Sequence, residues 1–309
     1  MENKKYKLGL ALSGGGAKGF AHCGALKAME EFGLYPDIIS GTSAGAIVGA
    51  LYASGNTPIE ICKMFMGKEF SNFAKLAIPK AGFFDHTPFM AFLNTYLHVT
   101  NFEELKIPLF VVASDLDHGK SVVFSKGKLG PSLLASCSVP IVFNPVVIDG
   151  VHYVDGGIFR NFPVVPIRDL CEKVIGINVS PLMSNDYKQS IIQIAQRSYH
   201  FLFKANTFED KALCDILVEM EEAQQYSTFD LDNISDIFKL GYSDMVNTLE
   251  NVYNLKRVKP EAPVDFGDIE PKKTKKEGYL PSKLKVITDK KINLKAIINT
   301  EKQIMKKIK

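Results

Sequence analysis

Three short stretches carry residue types and spacings that can do chemistry. Gly41-Thr42-Ser43-Ala44-Gly45 is a G-x-S-x-G pattern, which lifts a serine hydroxyl onto a tight turn between a strand and a helix. A serine held that way is a candidate nucleophile for acyl transfer; its plainer use is to cap the helix that follows. Gly14-Gly15-Gly16-Ala17-Lys18-Gly19 places backbone N–H groups without side chains at the mouth of a helix. Such groups hold either the pyrophosphate of a dinucleotide or the oxyanion of a tetrahedral intermediate. Asp155-Gly156-Gly157 sets a carboxylate at the end of an apolar run, as a general base or as an ordinary turn.

The surroundings choose among these uses. A dinucleotide site needs an acidic residue at the end of its second strand, about twenty residues past the glycines. Here Asp37 begins the second apolar run, and that run ends in Ser40-Gly-Thr-Ser-Ala-Gly45. An NAD- or FAD-binding oxidoreductase is therefore the alternative, and an oxyanion hole built by Gly14, Gly15 and Gly16 is the expectation. Lys18 adds a positive charge beside that loop, or is a solvated first-turn lysine.

Serine needs a base. A triad in the order serine, acid, histidine would call on His200, the sole histidine after Asp155, but His200 falls in an amphipathic stretch. For His22 and His152 the plainer reading of each is a packed or surface imidazole. Asp155 is left to take the proton directly, provided burial lifts its pKa above the usual value of about 4.

Elements to position these groups can be read along the chain. Lys7 to Leu12 is a strand, followed by a helix from Ala17 to Phe32 that stops at Gly33. Ile38-Ile39 leads into the serine turn and a small-residue helix closed by Gly55. Thr57-Pro58-Ile59-Glu60 combines an N-cap threonine, a first-turn proline and a capping glutamate. Phe65 to Tyr96 is rich in Phe, Met and Ile, with a helix start at Thr87-Pro88, and reads as a lipid-facing lid or as ordinary core helices. Leu109 to Ser114 and Ser121 to Phe124 are strands joined by a turn, and Pro131 to Cys137 is a short helix. Val146 to Val154 is a hairpin about Asp149-Gly150 that delivers Asp155. Val174 to Val179 is a buried strand, and Ser190 to Phe203, Phe208 to Ala223 and Ser235 to Leu255 read as helices. Strands alternating with helices predict an α/β fold, a three-layer α/β/α sandwich around a mostly parallel sheet.

The chain of 309 residues is 46% hydrophobic, enough for a large core. It lacks a run of about eighteen apolar residues to span a bilayer and a signal-type apolar segment, so the expected location is cytoplasmic. Five scattered cysteines without a C-x-x-C pair indicate neither a disulfide framework nor a zinc site. The net charge of +3 hides an asymmetry: from Lys256 onward there are 16 basic against 7 acidic residues, and before it 21 against 27. Residues 1–255 are thus expected to form the catalytic domain and 256–309 a basic, Pro/Lys-rich tail, with a short amphipathic helix at Ile292 to Ile308. That tail reads as a solvated end or as a peripheral contact with an anionic membrane. No nucleic-acid partner is expected.

In combination and in this order, the three motifs resemble the patatin-like phospholipase family. Ala21-His-Cys-Gly-Ala-Leu26, Val112-Ala-Ser-Asp-Leu116 and Ala135-Ser-Cys-Ser-Val-Pro140, with Phe143 and Pro145, also look like segments of that family. The resemblance covers residues 7–180. It implies a Ser–Asp dyad acyl hydrolase that needs no metal or cofactor, with Ser43 as nucleophile, Asp155 as base and the loop Gly14 to Gly19 as oxyanion hole. Gly41, Gly45, Gly156 and Gly157 fall on supporting motif positions. Lys18 stands where the family often has arginine, which keeps charge without bidentate hydrogen bonding. The implied substrates are phospholipids, lysophospholipids or related acyl esters. A fold kept as an inactive membrane- or partner-binding module is the reading from another class.

Overall fold

In the computed structural model, which describes residues 4–76, 82–181, 206–262 and 264–267 with isolated positions 194, 198 and 201, the short apolar runs are gathered into one sheet. Its strands are β1 (Tyr6–Leu12), β2 (Ile38–Thr42), β5 (Leu109–Asp115), β6 (Lys120–Phe124), β8 (Val146–Ile148), β9 (Val151–Asp155), β10 (Cys171–Asn178) and β11 (Ile216–Glu219). The order is β11-β10-β1-β2-β5-β9-β8, with β6 also paired to β5. From β11 to β5 every pairing is parallel, while β6, β8 and β9 join in antiparallel fashion. β1, β2 and β5 are close to continuously buried, as expected of parallel strands covered on both faces.

The helices are α1 (Phe20–Glu31), α2 (Ala44–Ser54), α3 (Pro58–Phe65), α4 (Thr87–Tyr96), α5 (Leu129–Cys137), α6 (Gly157–Arg160), α7 (Val165–Arg168), α8 (Phe208–Ala212) and α9 (Ile234–Asn247). The larger core lies between the sheet and α1, α2, α3 and α9. A smaller one, with Phe162, Ile167 and Cys171, covers the other face. α1 and α9 approach closely because Gly24 and Gly241 carry no side chain where each meets the other helix's backbone. The capping box predicted at Thr57 forms as read: Glu60 N–H donates to the threonine hydroxyl, and the Glu60 carboxylate accepts from Thr57 N–H. The Asp149-Gly150 turn has positive φ at both residues, 51° and 82°, as a two-residue hairpin requires.

Three expectations change. The helix expected over Phe208 to Ala223 breaks after Ala212, and Ile216–Glu219 becomes the edge strand, parallel to β10. Its run Ile216-Leu-Val suits a strand, and open backbone groups on β10 complete the pairing. Within Phe65 to Tyr96, strands β3 (Lys75–Leu76) and β4 (Gly82–Asp85) make a small sheet with β7 (Ile141–Phe143). The segment's Phe65, Phe73 and Phe92 pack on one another, and Phe65 packs on Phe20 of α1, ring centroids 4.9 to 5.7 Å apart, so this part is core. The third concerns residues 256–267. Arg257 bonds Glu31, Glu250 and Tyr242, and Phe266 packs edge-on against Phe238 at 5.1 Å. These residues continue the body past the charge boundary at 255.

The chain divides into two units, Met1–Lys273 and Thr274–Lys309. The second unit, with the helix expected at Ile292 to Ile308, lies outside the described residues, as do most of Ser190 to Phe203 and His200. Among the described residues no helix is long and apolar enough to cross a membrane.

Candidate active site

Sheet register brings Ser43 and Asp155 together. Thr42, the last residue of β2, pairs with Val112 of β5, and the next residue of β5, Ala113, pairs with Asp155 of β9. Ser43 and Asp155 therefore stand at one level on either side of β5. The Ser43 side chain lies near enough to the Asp155 carboxylate to lower its pKa.

Ser43 has φ 53° and ψ −121°, a region non-glycine residues avoid at a cost of roughly 1–3 kcal/mol. Its neighbours make the turn feasible. A β-carbon on Gly41 would come within 2.6 Å of the Ala46 nitrogen, and one on Gly45 within 2.6 Å of the Ser13 carbonyl oxygen. Ser136 holds the strained residue in place: its hydroxyl accepts from Ser43 N–H at 2.8 Å and donates to the Val112 carbonyl at 2.6 Å. Cys137 lies beside Ser43 and Asp155, its thiol pushed far up by burial and by the Asp155 charge. The Ser138 carbonyl accepts from Asp155 N–H at 2.9 Å. Ser136 and Ser138, at the end of α5, thus hold the backbones of Ser43 and Asp155. Ser136 and Ser138 stand in a stretch quoted for its family likeness, yet side-chain type alone did not single them out.

Asp155 is 2% exposed. Burial pushes its pKa up to about 6, against the pull of the Gly157 N–H at 2.8 Å and of the Ser43 hydroxyl. It is ionised at neutral pH, yet basic enough to take a proton. The condition set by sequence, a carboxylate raised by burial, is met by this geometry.

The glycine loop follows β1 at the same edge. Ser13 N–H bonds the Ile177 carbonyl, and Val179 N–H bonds the Ser13 hydroxyl. Gly14 N–H bonds the Asn161 carbonyl at 3.0 Å, so of the three amides expected to form an oxyanion hole this one is occupied. The amides of Gly15 and Gly16 have no acceptor among the described residues. Gly16 takes φ 61° and packs on the Thr228 backbone.

Lys18 is not the solvated lysine of one sequence reading. It is 5% exposed and donates to Gln224 at 3.0 Å, and burial lowers its pKa to about 8. His22 is buried with Nε2 on the Ser13 carbonyl and a pKa lowered to about 4 by burial; it is a neutral packing residue under the loop. His152 pairs with Asp117 at the surface. Asp37, whose carboxylate the dinucleotide alternative would need elsewhere, accepts from Lys7 and Leu8 N–H at the opening of β2. Among the described residues no group of acidic, histidine and cysteine side chains could hold a metal ion.

Asn161 was missed by sequence reasoning. It follows α6 and is buried; its N–H bonds the Asn206 side chain, whose amide caps the Gly157 and Ile158 carbonyls. Asp210 accepts from Val164 and Val165 N–H and pairs with Arg160 at 2.5 Å. The chain after Asp155 is thereby held rigidly. An asparagine six residues after the aspartate of an Asp-Gly-Gly turn was the available signal.

Comparison with known proteins supports the reading of the motifs. The family described as patatin-like phospholipase matches residues 10–167. An uncharacterized NTE family protein of Mycobacterium bovis is 34% identical over 163 residues, covering 52% of this chain and 45% of its own. Lysophospholipase NTE1 of Cryptococcus neoformans is 33% identical over 174 residues, 53% of this chain and 10% of that one. The chain spans less than half the length of these curated relatives. Among solved structures, VipD from Legionella pneumophila aligns over 80% of this chain and 67% of its own, with a TM-score of 0.47 and 14% identity.

Proposed function

This chain belongs to the patatin-like phospholipase family, and on that footing we propose that it is a serine acyl hydrolase cleaving fatty acyl esters of phospholipids, lysophospholipids or related lipids through a Ser43–Asp155 dyad. One observation carries the reading: a serine held at φ 53° that the sheet register brings level with a buried carboxylate raised to about 6. Fold maintenance alone has no use for either the strain or the buried charge.

The reaction follows from the groups in place. Asp155 accepts the Ser43 proton as Oγ bonds to the ester carbonyl carbon. The carbonyl oxygen becomes negative and is held by the Gly15 and Gly16 amides. The intermediate collapses, the C–O bond to the alcohol breaks, and Asp155 returns the proton to the leaving oxygen. A water then gives its proton to Asp155, attacks the acyl-enzyme and releases the fatty acid, and Ser43 recovers its proton.

An apolar wall suits such a substrate. Phe70, Phe84, Phe143 and Phe229 cluster with ring centroids 4.8 to 6.5 Å apart. Phe229 follows Thr228, on which the glycine loop rests, and Phe143 follows the Ser136–Ser138 grip. The basic stretch beyond residue 267 is read as a peripheral contact with anionic lipid.

Labelling by a fluorescent fluorophosphonate tests the dyad. The wild type is expected to label, Ser43→Ala not at all, and Asp155→Asn at a rate lower by about 10²–10⁴-fold. Full esterase activity in Ser43→Ala would end this reading.

A further inference from the structure

Asn161 is 1% exposed, and neither Oδ1 nor Nδ2 of its side chain has a hydrogen-bond partner among the described residues. An orphaned buried amide is costly and calls for an explanation. Its position supplies one. A β-carbon on Gly14 would collide with Asn161 Oδ1, and the same point lies 3.3 Å from Ser43 Cβ. The absent side chain of Gly14 therefore leaves a space faced by the Asn161 amide on one side and by the candidate nucleophile on the other. A half-turn about the last torsion exchanges the oxygen and nitrogen of the amide, and no partner holds it in either orientation.

Asn161 also alters the donor set. Its backbone carbonyl takes the Gly14 N–H, so the first amide of the loop cannot serve an oxyanion. The same residue then presents an uncommitted side-chain N–H₂ next to the amide it has occupied.

We propose that Asn161 is a further catalytic residue: its side-chain amide donates to the carbonyl oxygen of the bound ester and, with the Gly15 and Gly16 amides, holds the charge that develops there. The inference rests on the dyad reading above. Rigidity is part of the argument. Asn206 on the Asn161 N–H and on the α6 carbonyls, and Asp210 on the residues beyond, hold the Asn161 backbone in position before substrate arrives, so only the last side-chain torsion is left to set, close to what preorganised charge stabilisation requires.

The test uses the full chain with Asn161→Leu, close in shape and without polar atoms, and Asn161→Ala as a smaller second variant. Ester turnover, fluorophosphonate labelling rate and melting temperature are measured beside wild type and Ser43→Ala. The expected result is a fall in kcat of about 10²-fold, KM within about threefold, and labelling slowed in step. Asn161→Leu should keep the wild-type melting temperature or exceed it, because an unpaired buried amide has been replaced by hydrocarbon. Turnover within about threefold of wild type in either folded variant would overturn the proposal. So would lower turnover accompanied in both by a matching loss of melting temperature, which marks a structural residue. An active Ser43→Ala would instead bring down the dyad reading, so the two failures are distinguishable.

Discussion

Glu31 and Asp155 are equally buried, each 2% exposed, and their surroundings treat them in opposite ways. Glu31, at the end of α1, accepts from Lys27, from the Tyr242 hydroxyl at 2.7 Å, from Arg257 at 3.3 Å and from Ala262 N–H at 3.3 Å. Burial pushes its pKa up, but the Lys27, Tyr242 and Ala262 hydrogen bonds outweigh that and leave it below the usual carboxylate value. Among the described residues Asp155 has no cation beside it, and the Gly157 N–H it accepts from and the nearby Ser43 do not offset its burial, so burial prevails. The Glu31 cluster fastens residues 257–262 to the body, and for that a fixed charge is best. A group that must take and return a proton has to be left short of partners.

The largest effect should come from removing the charge of Asp155. Asp155→Asn is expected to lose about 10²–10⁴-fold in kcat while gaining stability above pH 6. The sign follows from linkage. A folded-state pKa raised from 3.8 to about 6 means that the ionised carboxylate costs the folded state stability. That stability is fully present below pH 3.8 and is lost as pH rises through about 6. At roughly 1.4 kcal/mol per unit the gain on neutralising the group approaches 3 kcal/mol. Thermal melts at pH 8 check it; an equal or lower melting temperature would show that Asp155 is not held at a cost.

At the other carboxylate the prediction reverses. Arg257→Ala should destabilise by about 2–4 kcal/mol, since it strips a buried acid of a partner. Hydrolysis per folded molecule should be unchanged, and kinetics beside a denaturation curve will read both.

A third test keeps the wild type and varies pH. Activity should fall on the acid side with a midpoint near 6, where Asp155 takes its proton. Glu31, lowered rather than raised, contributes stability present above its unfolded pKa of about 4.5 and lost as pH falls further. A single acid transition shared by activity and unfolding would erase the distinction between the two sites.

The smallest effect concerns backbone. Ser43→Gly removes the proposed nucleophile and relieves the φ 53° conformation, so an inactive protein stabilised by about 1 kcal/mol is expected. An unchanged or lower melting temperature would place the strain elsewhere.

What the sequence disclosed follows from how local each constraint is. Gly41, Ser43 and Gly45 were legible because the elbow's steric demands lie within five residues, and Asp155 because Asp149-Gly150 announces the hairpin that delivers it. The edge strand at Ile216 was misread as helix because its character is decided by β10, some forty residues earlier in the chain. Lys18 gave no sign of burial, since Gln224 covers it from the far end of the sequence. Residues 256–267 were assigned by charge to the tail, although Arg257, Val264 and Phe266 engage the body. Ser136 and Asn161 act through backbone groups of Ser43 and Gly14; residue type does not announce such partners.

The place of β1 in the sheet has a consequence for the making of the protein. β1 lies between β2 and β10, and the glycine loop that follows it leans on Asn161 and Ile177. A chain emerging from the ribosome has its nucleophile turn early, but the strand that flanks the loop comes only after residue 170. Long-range pairing of this kind closes late. Nascent fragments ending before β10 therefore have the serine without the support for the glycine loop, and the proposed hydrolytic competence arrives only when most of the body has been synthesised.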